Sequence, residues 1–488
     1  YLDPAALKNL LDKERLGDVH SILGIKLTLW LFHSKTGEKS EMKLVRDESN
    51  LWFEVCAQED DSDSFYNRAK KEALTKKVLL ISHLHFLKDR IKSEPDLELP
   101  ENVVIGQIEN FTDVVEHAWH LILSESRFAN NLRRLKEENP EMEEALIHLE
   151  NKVSMLFGLL GIVYEKHGEM NDSRQPLIVD HVLRSSQEWS NLKESSKSIE
   201  SSLEALDSRL QETALSNEFK RYLRYLTKVL QAEGAVLWLN LSSDLMPLVH
   251  IFPENRSKLF EERVWKNLKQ LHFFAHHGNF NDDFAFIKNE LNLPAEMQVL
   301  SQASQFPLPL YKAKNKISSP SKPENIQEAT HELKQHIPEE TGDVFLLVTS
   351  MTSAEQFYYS LKTLIQETGR ELFVQNMSGG LGKIVSLSEK TSGRNFFVGD
   401  EDMLEFLLAE NRSLSFLALH RLPFAYPGHP ITKSRSEAYE DPYKDYTLPM
   451  AALKFRRVLN TFLGNKWEGK KILVLDPRLD DYESVFLS

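Results

Sequence analysis

Asp343-Val344-Phe345-Leu346-Leu347-Val348 is a short run with one charge at its head and apolar side chains throughout the rest. A strand buried on one face alternates apolar and polar residues. This run does not alternate, so it reads as a strand covered on both faces, the signature of a parallel sheet flanked by helices. Runs of the same kind follow at Leu372-Phe373-Val374, Asn395-Phe396-Phe397-Val398, Leu414 to Leu419 and Lys471-Ile472-Leu473-Val474-Leu475, spaced by helical patterns. Earlier in the chain Val78-Leu79-Leu80-Ile81-Ser82, Asn102-Val103-Val104-Ile105-Gly106 and Ala235-Val236-Leu237-Trp238-Leu239 read the same way. The expected class is α/β, built twice.

From about Leu121 to Gly234 the pattern turns helical. Ile199, Leu203, Leu206 and Leu210 recur at spacings of four, three and four, an apolar seam along one helix face. An all-helical insertion interrupting the first α/β region is expected. Lys312 to Pro323 (KAKNKISSPSKP) is basic, rich in Ser and Pro and without apolar period, which reads as a linker. The expected organisation is 1–120, 121–234 for the insertion, 235–311 for the return to the first region, 312–324 for the linker and 325–488 for the second region.

At 488 residues the chain is long enough for about three domains. Apolar residues at 41% and charged residues at 27% are ordinary for a soluble chain. The net charge of −14 disfavours coating nucleic acid by bulk charge and leaves room for local basic tracks. The single cysteine, Cys56, forbids an internal disulfide, fits a reducing cytoplasm, and cannot by itself build a zinc or iron–sulfur site. No uncharged apolar stretch of about 18 residues is present, so no membrane partner is expected. The chain opens on Tyr1 without a signal-like segment and reads as a fragment of something longer.

Several near-motifs fail. Gly379-Gly380-Leu381-Gly382-Lys383 lacks the P-loop spacing and is followed by Ile384 rather than Ser or Thr. His331 and His336 stand five apart, about 140° around a helix, so they cannot share a metal, and a solvated helix face is expected. His117, His120, His276 and His277 have no carboxylate set in sequence, and no Gly-x-Ser-x-Gly elbow occurs.

A set of short segments in order resembles the DinG/XPD branch of superfamily-2 DNA helicases, in particular the DinG form in which an exonuclease precedes the helicase. Leu27 to Lys35 with Thr36-Gly37-Glu38, and Ser64-Phe65-Tyr66-Asn67-Arg68-Ala69 leading to Ser82-His83-Leu84-His85, are similar to the family's early motor segments. Leu99-Pro100 precedes the strand that carries its DEAH box. Arg421-Leu422-Pro423-Phe424, Pro427 to Ile431, Leu448-Pro449 with Ala451, and Leu475-Asp476-Pro477-Arg478-Leu479 resemble its C-terminal motifs. The resemblance implies two RecA-like parallel-sheet domains, the first carrying the helical arch and, in this chain, lacking the P-loop.

The same alignment implies a degenerate motor. The DEAH position holds Gly106-Gln107-Ile108-Glu109, and neither Gly nor Gln can hold Mg²⁺ or orient water. A further motor motif falls on Ala275-His276-His277-Gly278. The motif V position, Met403 to Leu408, keeps only Glu405. In motif VI the glutamine becomes Arg457 and the arginines become Thr461 and Gly464, with Asn460 between Arg457 and Thr461. The family uses ATP and Mg²⁺; for this chain no cofactor, no metal and no iron–sulfur cluster are expected, and no catalytic residue is intact. The expectation is a DNA-binding or scaffolding platform beside an upstream exonuclease, with single-stranded or forked DNA as partner. Arg127, Arg133, Arg134, Gln375, Ser378, Arg456 and Arg457, with neighbouring Lys454, Lys466, Lys470 and Lys471, are the candidate nucleic-acid contacts. The alternatives are an active DinG-type helicase whose P-loop lies upstream, and a protein–protein module using the arch.

Overall fold

The computed structural model describes the chain apart from residues 1, 13–17, 33–51, 53–54, 57–64, 93–94, 96, 98–101, 169–174, 208, 233, 243, 267, 276–283, 295–296, 298–308, 338–339, 392–393, 465–467 and 488. His33 to Lys35, Thr36-Gly37-Glu38, Ser64, Leu99-Pro100, His276-His277-Gly278 and Lys466 lie outside the described residues. The strands are β1 (Asn102–Ile105), β2 (Leu121–Ser124), β3 (Leu177–Ile178), β4 (Ala235–Leu241), β5 (Pro247–Pro253), β6 (Gln270–Phe273), β7 (Leu310–Lys312), β8 (Asp343–Leu347), β9 (Glu371–Val374), β10 (Asn395–Gly399), β11 (Leu414–Leu419) and β12 (Lys471–Val474). The chain divides into two units. The first comprises Tyr1–Glu101, Phe111–Lys269 and Gly428–Ser434, and the second Asn102–Asn110, Gln270–Pro427 and Arg435–Ser488.

The first unit holds α1 (Phe111–Trp119), α2 (Glu125–Glu138), α3 (Glu143–His167), α4 (Gln187–Asp207) and α5 (Ala214–Gln231). Along α3, Leu146, Leu149, Val153, Leu156, Phe157, Leu160, Val163 and Tyr164 recur at helical spacing and are buried, so one face of this helix is core. By length and composition α3, with the turn before it, is apolar enough to cross a membrane. The expected seam is real: Ile199, Leu203 and Leu206 are buried on α4, and Leu210 just beyond its end. Trp189 Nε1 donates to the Leu230 carbonyl at 3.2 Å and ties α4 to α5. The start of α5 is set by Thr213, which accepts from the Ser216 amide while Ser216 accepts from the Thr213 amide, a reciprocal cap.

Three expectations are corrected in this unit. Ala235 to Leu239 is a strand, but antiparallel: β2-β5-β4-β3 form one antiparallel sheet, with Trp238 opposite His250. The run Pro247–Pro253 lies so close in sequence that a hairpin closes before any parallel crossover can form. The stretch 121–234 is therefore not wholly helical, since β2 and β3 lie within it. Val78 to Ser82 is not a strand. Leu80 and Val78 are 95% and 85% exposed, and Ser82 instead caps the helix His83–Arg90 by accepting the His85 amide.

The second unit carries a six-stranded parallel sheet in the order β7-β12-β11-β8-β10-β9. All five residues of β8 and of β10 are buried, as the unbroken apolar runs imply. Phe345, Leu347, Phe397, Leu417 and Leu419 point into one core and Val344, Leu346, Phe396, Val398 and Phe416 into the other, the period of two expected of strands. The helices are α6 (Asn325–His336), α7 (Met351–Glu367), α8 (Leu381–Ser388), α9 (Glu401–Ala409), α10 (Leu448–Leu463) and α11 (Leu479–Phe486). Ser350 caps α7 and Asp400 caps α9 through their side-chain oxygens. A further parallel pair, β1–β6, belongs to this unit.

The stretch 312–324 is not a free linker. Lys312 lies on β7 opposite Val474 and bridges Asp480 and Glu483. The Lys314 and Asn315 amides donate to Glu332, at 2.7 and 3.2 Å, and the Ser318 amide to Glu328 at 2.6 Å. Its polar composition is consumed by anchoring carboxylates rather than by water. Glu332 also corrects the solvated reading of its helix, for it is fully buried. Burial pushes its carboxyl up, and the donors of Lys314 and Asn315, with His336, pull it further down, below the ordinary glutamate value.

Candidate nucleotide and nucleic-acid sites

The segment after β1 turns at Gln107, whose φ is +51°, and closes a short 3₁₀ turn over Ile108–Asn110. The Ile108 amide donates to the Phe274 carbonyl at 3.0 Å, pinning this turn to the end of β6. Gly106 and Gln107 are exposed, while Glu109 is buried in the turn. A Cβ on Gly106 would meet nothing within 4 Å, so the position has room for a side chain. These residues do not fit Mg²⁺ or a water-orienting role. Among the described residues no three of His, Cys, Asp and Glu gather as a metal site. Cys56 is bridged to Leu2, and burial pushes its thiol up.

One guanidinium joins α10 to α9, two residues before the stretch Met403 to Leu408. Arg457 on α10 donates to both carboxylate oxygens of Glu401 on α9, Nε to Oε1 at 2.5 Å and Nη2 to Oε2 at 2.6 Å. Its third nitrogen reaches Asn110 Oδ1 at 3.5 Å, and Asn110 donates to Gln107 at 3.1 Å. This fork–fork geometry is the one an arginine offers a phosphate, and here the chain's own carboxylate takes it. Glu405, open to solvent one turn along α9, is raised above the ordinary glutamate value by partial desolvation, then by Glu401 and Asp402, against the pull of Arg457. Asn460 and Thr461 are half-buried on α10. Gly464 ends that helix at φ +53°, a conformation that disfavours an arginine.

Most of the candidate cations of the second unit are structural. Arg456 is buried and donates to the carbonyls of Val485, at 2.6 Å, and Phe486, at 3.3 Å, at the end of α11. The expected role of Arg456 in contacting nucleic acid is therefore corrected: its side chain closes the C-terminal helix. Lys470 donates to the last carbonyls of α10 and Lys471 to Glu340. Gln375 accepts from the Asp400 amide at 2.8 Å and donates to the Asp400 carboxylate at 2.9 Å, while Ser378 accepts the Val374 amide. Both hold the end of β9.

The helices of the first unit differ. Arg127 pairs with Glu218 at 3.0 Å and lies 4.1 Å from the ring centre of Tyr222, which Arg221 also approaches at 5.2 Å. Two guanidiniums thus share one aromatic ring, and Arg127 also holds the Glu218 carboxylate. Arg133 is exposed on α2 and Arg134 is half-buried one helical repeat beyond Arg127. Arg221 and Tyr222 escaped the sequence reading because α5 brings them to α2 across some ninety residues of chain.

Two of the segments that carry the family resemblance, Arg421–Phe424 and Leu475–Leu479, meet in the second unit. Asp476 accepts the Leu422 amide at 2.8 Å and pairs with Arg478, whose guanidinium lies 5.0 Å from the Phe424 ring. No protein-family model matches the chain. It is 21% identical over 526 aligned positions to the 3'-5' exonuclease DinG of Bacillus subtilis strain 168, across 93% of this chain and 56% of that protein. The solved structure of S. tokodaii Xpd4 superposes with a TM-score of 0.53 at 13% identity, covering 86% of this chain and 85% of that one. An apo XPD structure gives 0.51 at 11% identity, covering 82% and 78%.

The chain is similar to DinG in sequence and to XPD in fold. Its α/β class, parallel RecA-like sheet and helical arch are those of these relatives. It spans little more than half the length of the DinG it matches.

Proposed function

We propose that this chain is a non-hydrolysing relative of the DinG/XPD helicases that binds single-stranded DNA and presents it to a nuclease. The observation that carries the reading is the self-satisfied fork of Arg457 on Glu401 beside Gly106 and Gln107. A triphosphate there would have to displace a bidentate carboxylate and would find no acid for its metal. Removing several parts of one catalytic set leaves little of the normal acceleration. DNA contact is carried by α2 and α5, where Arg127, Arg221 and Tyr222 offer cations and a ring, the combination a single strand needs. The name of the Bacillus subtilis relative, an exonuclease, supports a nuclease as the neighbour.

The test is fluorescence anisotropy with a labelled oligonucleotide at several salt concentrations, with and without ATP·Mg²⁺, alongside phosphate release. Salt-sensitive binding that ignores ATP·Mg²⁺ is expected, with no release above buffer. Release stimulated by DNA and lost in Glu405→Gln would defeat the proposal.

A further inference from the structure

Four rings from four stretches of chain meet on the antiparallel sheet of the first unit. His120 follows α1, Trp238 lies on β4, His250 on β5 and His429 in the segment Gly428–Ser434. His120 Nε2 and His250 Nδ1 are 3.0 Å apart. The rings of His120, Trp238 and His250 form a triangle with centroids 5.0–5.1 Å apart and planes inclined by 20–24°. His429 meets Trp238 edge-on at 5.9 Å.

A hydrogen bond between two imidazoles needs one N–H and one lone pair. It survives one added proton and not two, because two imidazolium rings have no acceptor to share. His250 is buried, and its Nε2 has no hydrogen-bond partner, so a charge on that ring also lacks solvent. The charged and titratable groups around the pair are His117, His429 and Glu116. The two histidines oppose a positive charge, and Glu116, which faces His429, favours one. The face of Trp238 would attract an imidazolium, a smaller effect than desolvation here.

We propose that this cluster is an acid-released clasp, which when neutral pins residues 428–434 and the end of α1 to the β4–β5 hairpin and when charged lets them go. Burial first, then the neighbouring histidines, hold His120 and His250 down at about 4, and burial lowers His429 as well. Release is therefore an event of mild acid, below the ordinary histidine range.

The experiment follows hydrogen-exchange protection of residues 428–434, and the Trp238 emission taken as the difference between the chain and its Trp238→Phe variant, from pH 7.5 to 3.5, with far-UV circular dichroism in parallel. The expected result is a loss of protection of about tenfold per pH unit once the second proton binds, while helical dichroism persists. In the His120→Gln/His250→Gln chain that acid step is absent. His429→Gln removes one repelling ring and moves the midpoint towards neutral pH. Protection that stays flat, an unchanged midpoint in His429→Gln, or helical dichroism lost before the segment opens would overturn the clasp.

Discussion

The two units spend their charged groups in opposite ways. In the parallel-sheet unit, Arg456, Arg457, Arg478, Glu332 and Asp476 are turned inward onto carbonyls, amides or one another. In the helical unit, Arg133 and Arg221 stay exposed, and Arg127 shares its charge between a carboxylate and a tyrosine ring. The difference teaches that a cation in a motif position is no guide to function until its partner is known. Arg456 and Arg457 are held by groups of their own unit, and on the proposed reading the surface that meets a phosphate backbone lies on α2 and α5.

The largest contrast is expected from ion pairs. Arg435 and Glu290 are 1% and 2% exposed, and Tyr439 also donates to Glu290. Arg435→Met strands a buried carboxylate and is expected to cost about 3–5 kcal/mol in urea unfolding. Lys136→Ala breaks the more open pair with Glu150 on α3 and should cost no more than ~1 kcal/mol. Equal costs would erase the contrast between the units.

Acid should divide the units next. His250 has a folded value of about 4 against an ordinary 6.5, so its stabilisation is complete above about pH 6.5 and is lost as pH falls towards 4. That depression corresponds to up to ~3 kcal/mol. His420, buried in the second unit against Asn325, is held by burial at about 3, so its loss extends lower. Denaturation at pH 7, 5.5 and 4.5, read by exchange in each unit, should show both units weakening from about pH 6.5 and the first losing more, since His120, His250 and His429 are all held down there against His420 in the second. Equal losses would contradict this.

Smaller effects sharpen the same comparison. Arg127→Ala with Arg221→Ala should flatten the log–log salt slope of single-strand binding by up to ~1.4, about 0.7 for each lost phosphate contact. Arg456→Ala should leave that slope alone and lower stability. Smallest of all, Gly106→Asp should change stability by no more than about 0.5 kcal/mol, since the position is open. A large destabilisation would mean the site was lost for packing reasons.

Much of the parallel sheet could be read in advance, because runs such as Val344 to Val348 and Phe396 to Val398 carry their two-sided burial in their composition. The helical seam of α4 was equally open to reading. Ala235 to Leu239 was not, since an apolar run does not say which way its neighbour runs. Gly106 and Gln107 were visible as residue types, but the Arg457–Glu401 fork joins residues 56 apart and depends on where α9 and α10 come to rest. Partnerships of that range, including His120 with His250, belong to the tertiary fold.

We propose that the chain binds single-stranded DNA without hydrolysing ATP. This reading is tested most directly by measuring phosphate release from ATP·Mg²⁺ by the purified chain, with saturating single-stranded DNA whose binding is followed in the same cuvette. The account predicts salt-sensitive binding with release no faster than in buffer. DNA-stimulated release, or no binding even at low salt, would contradict it.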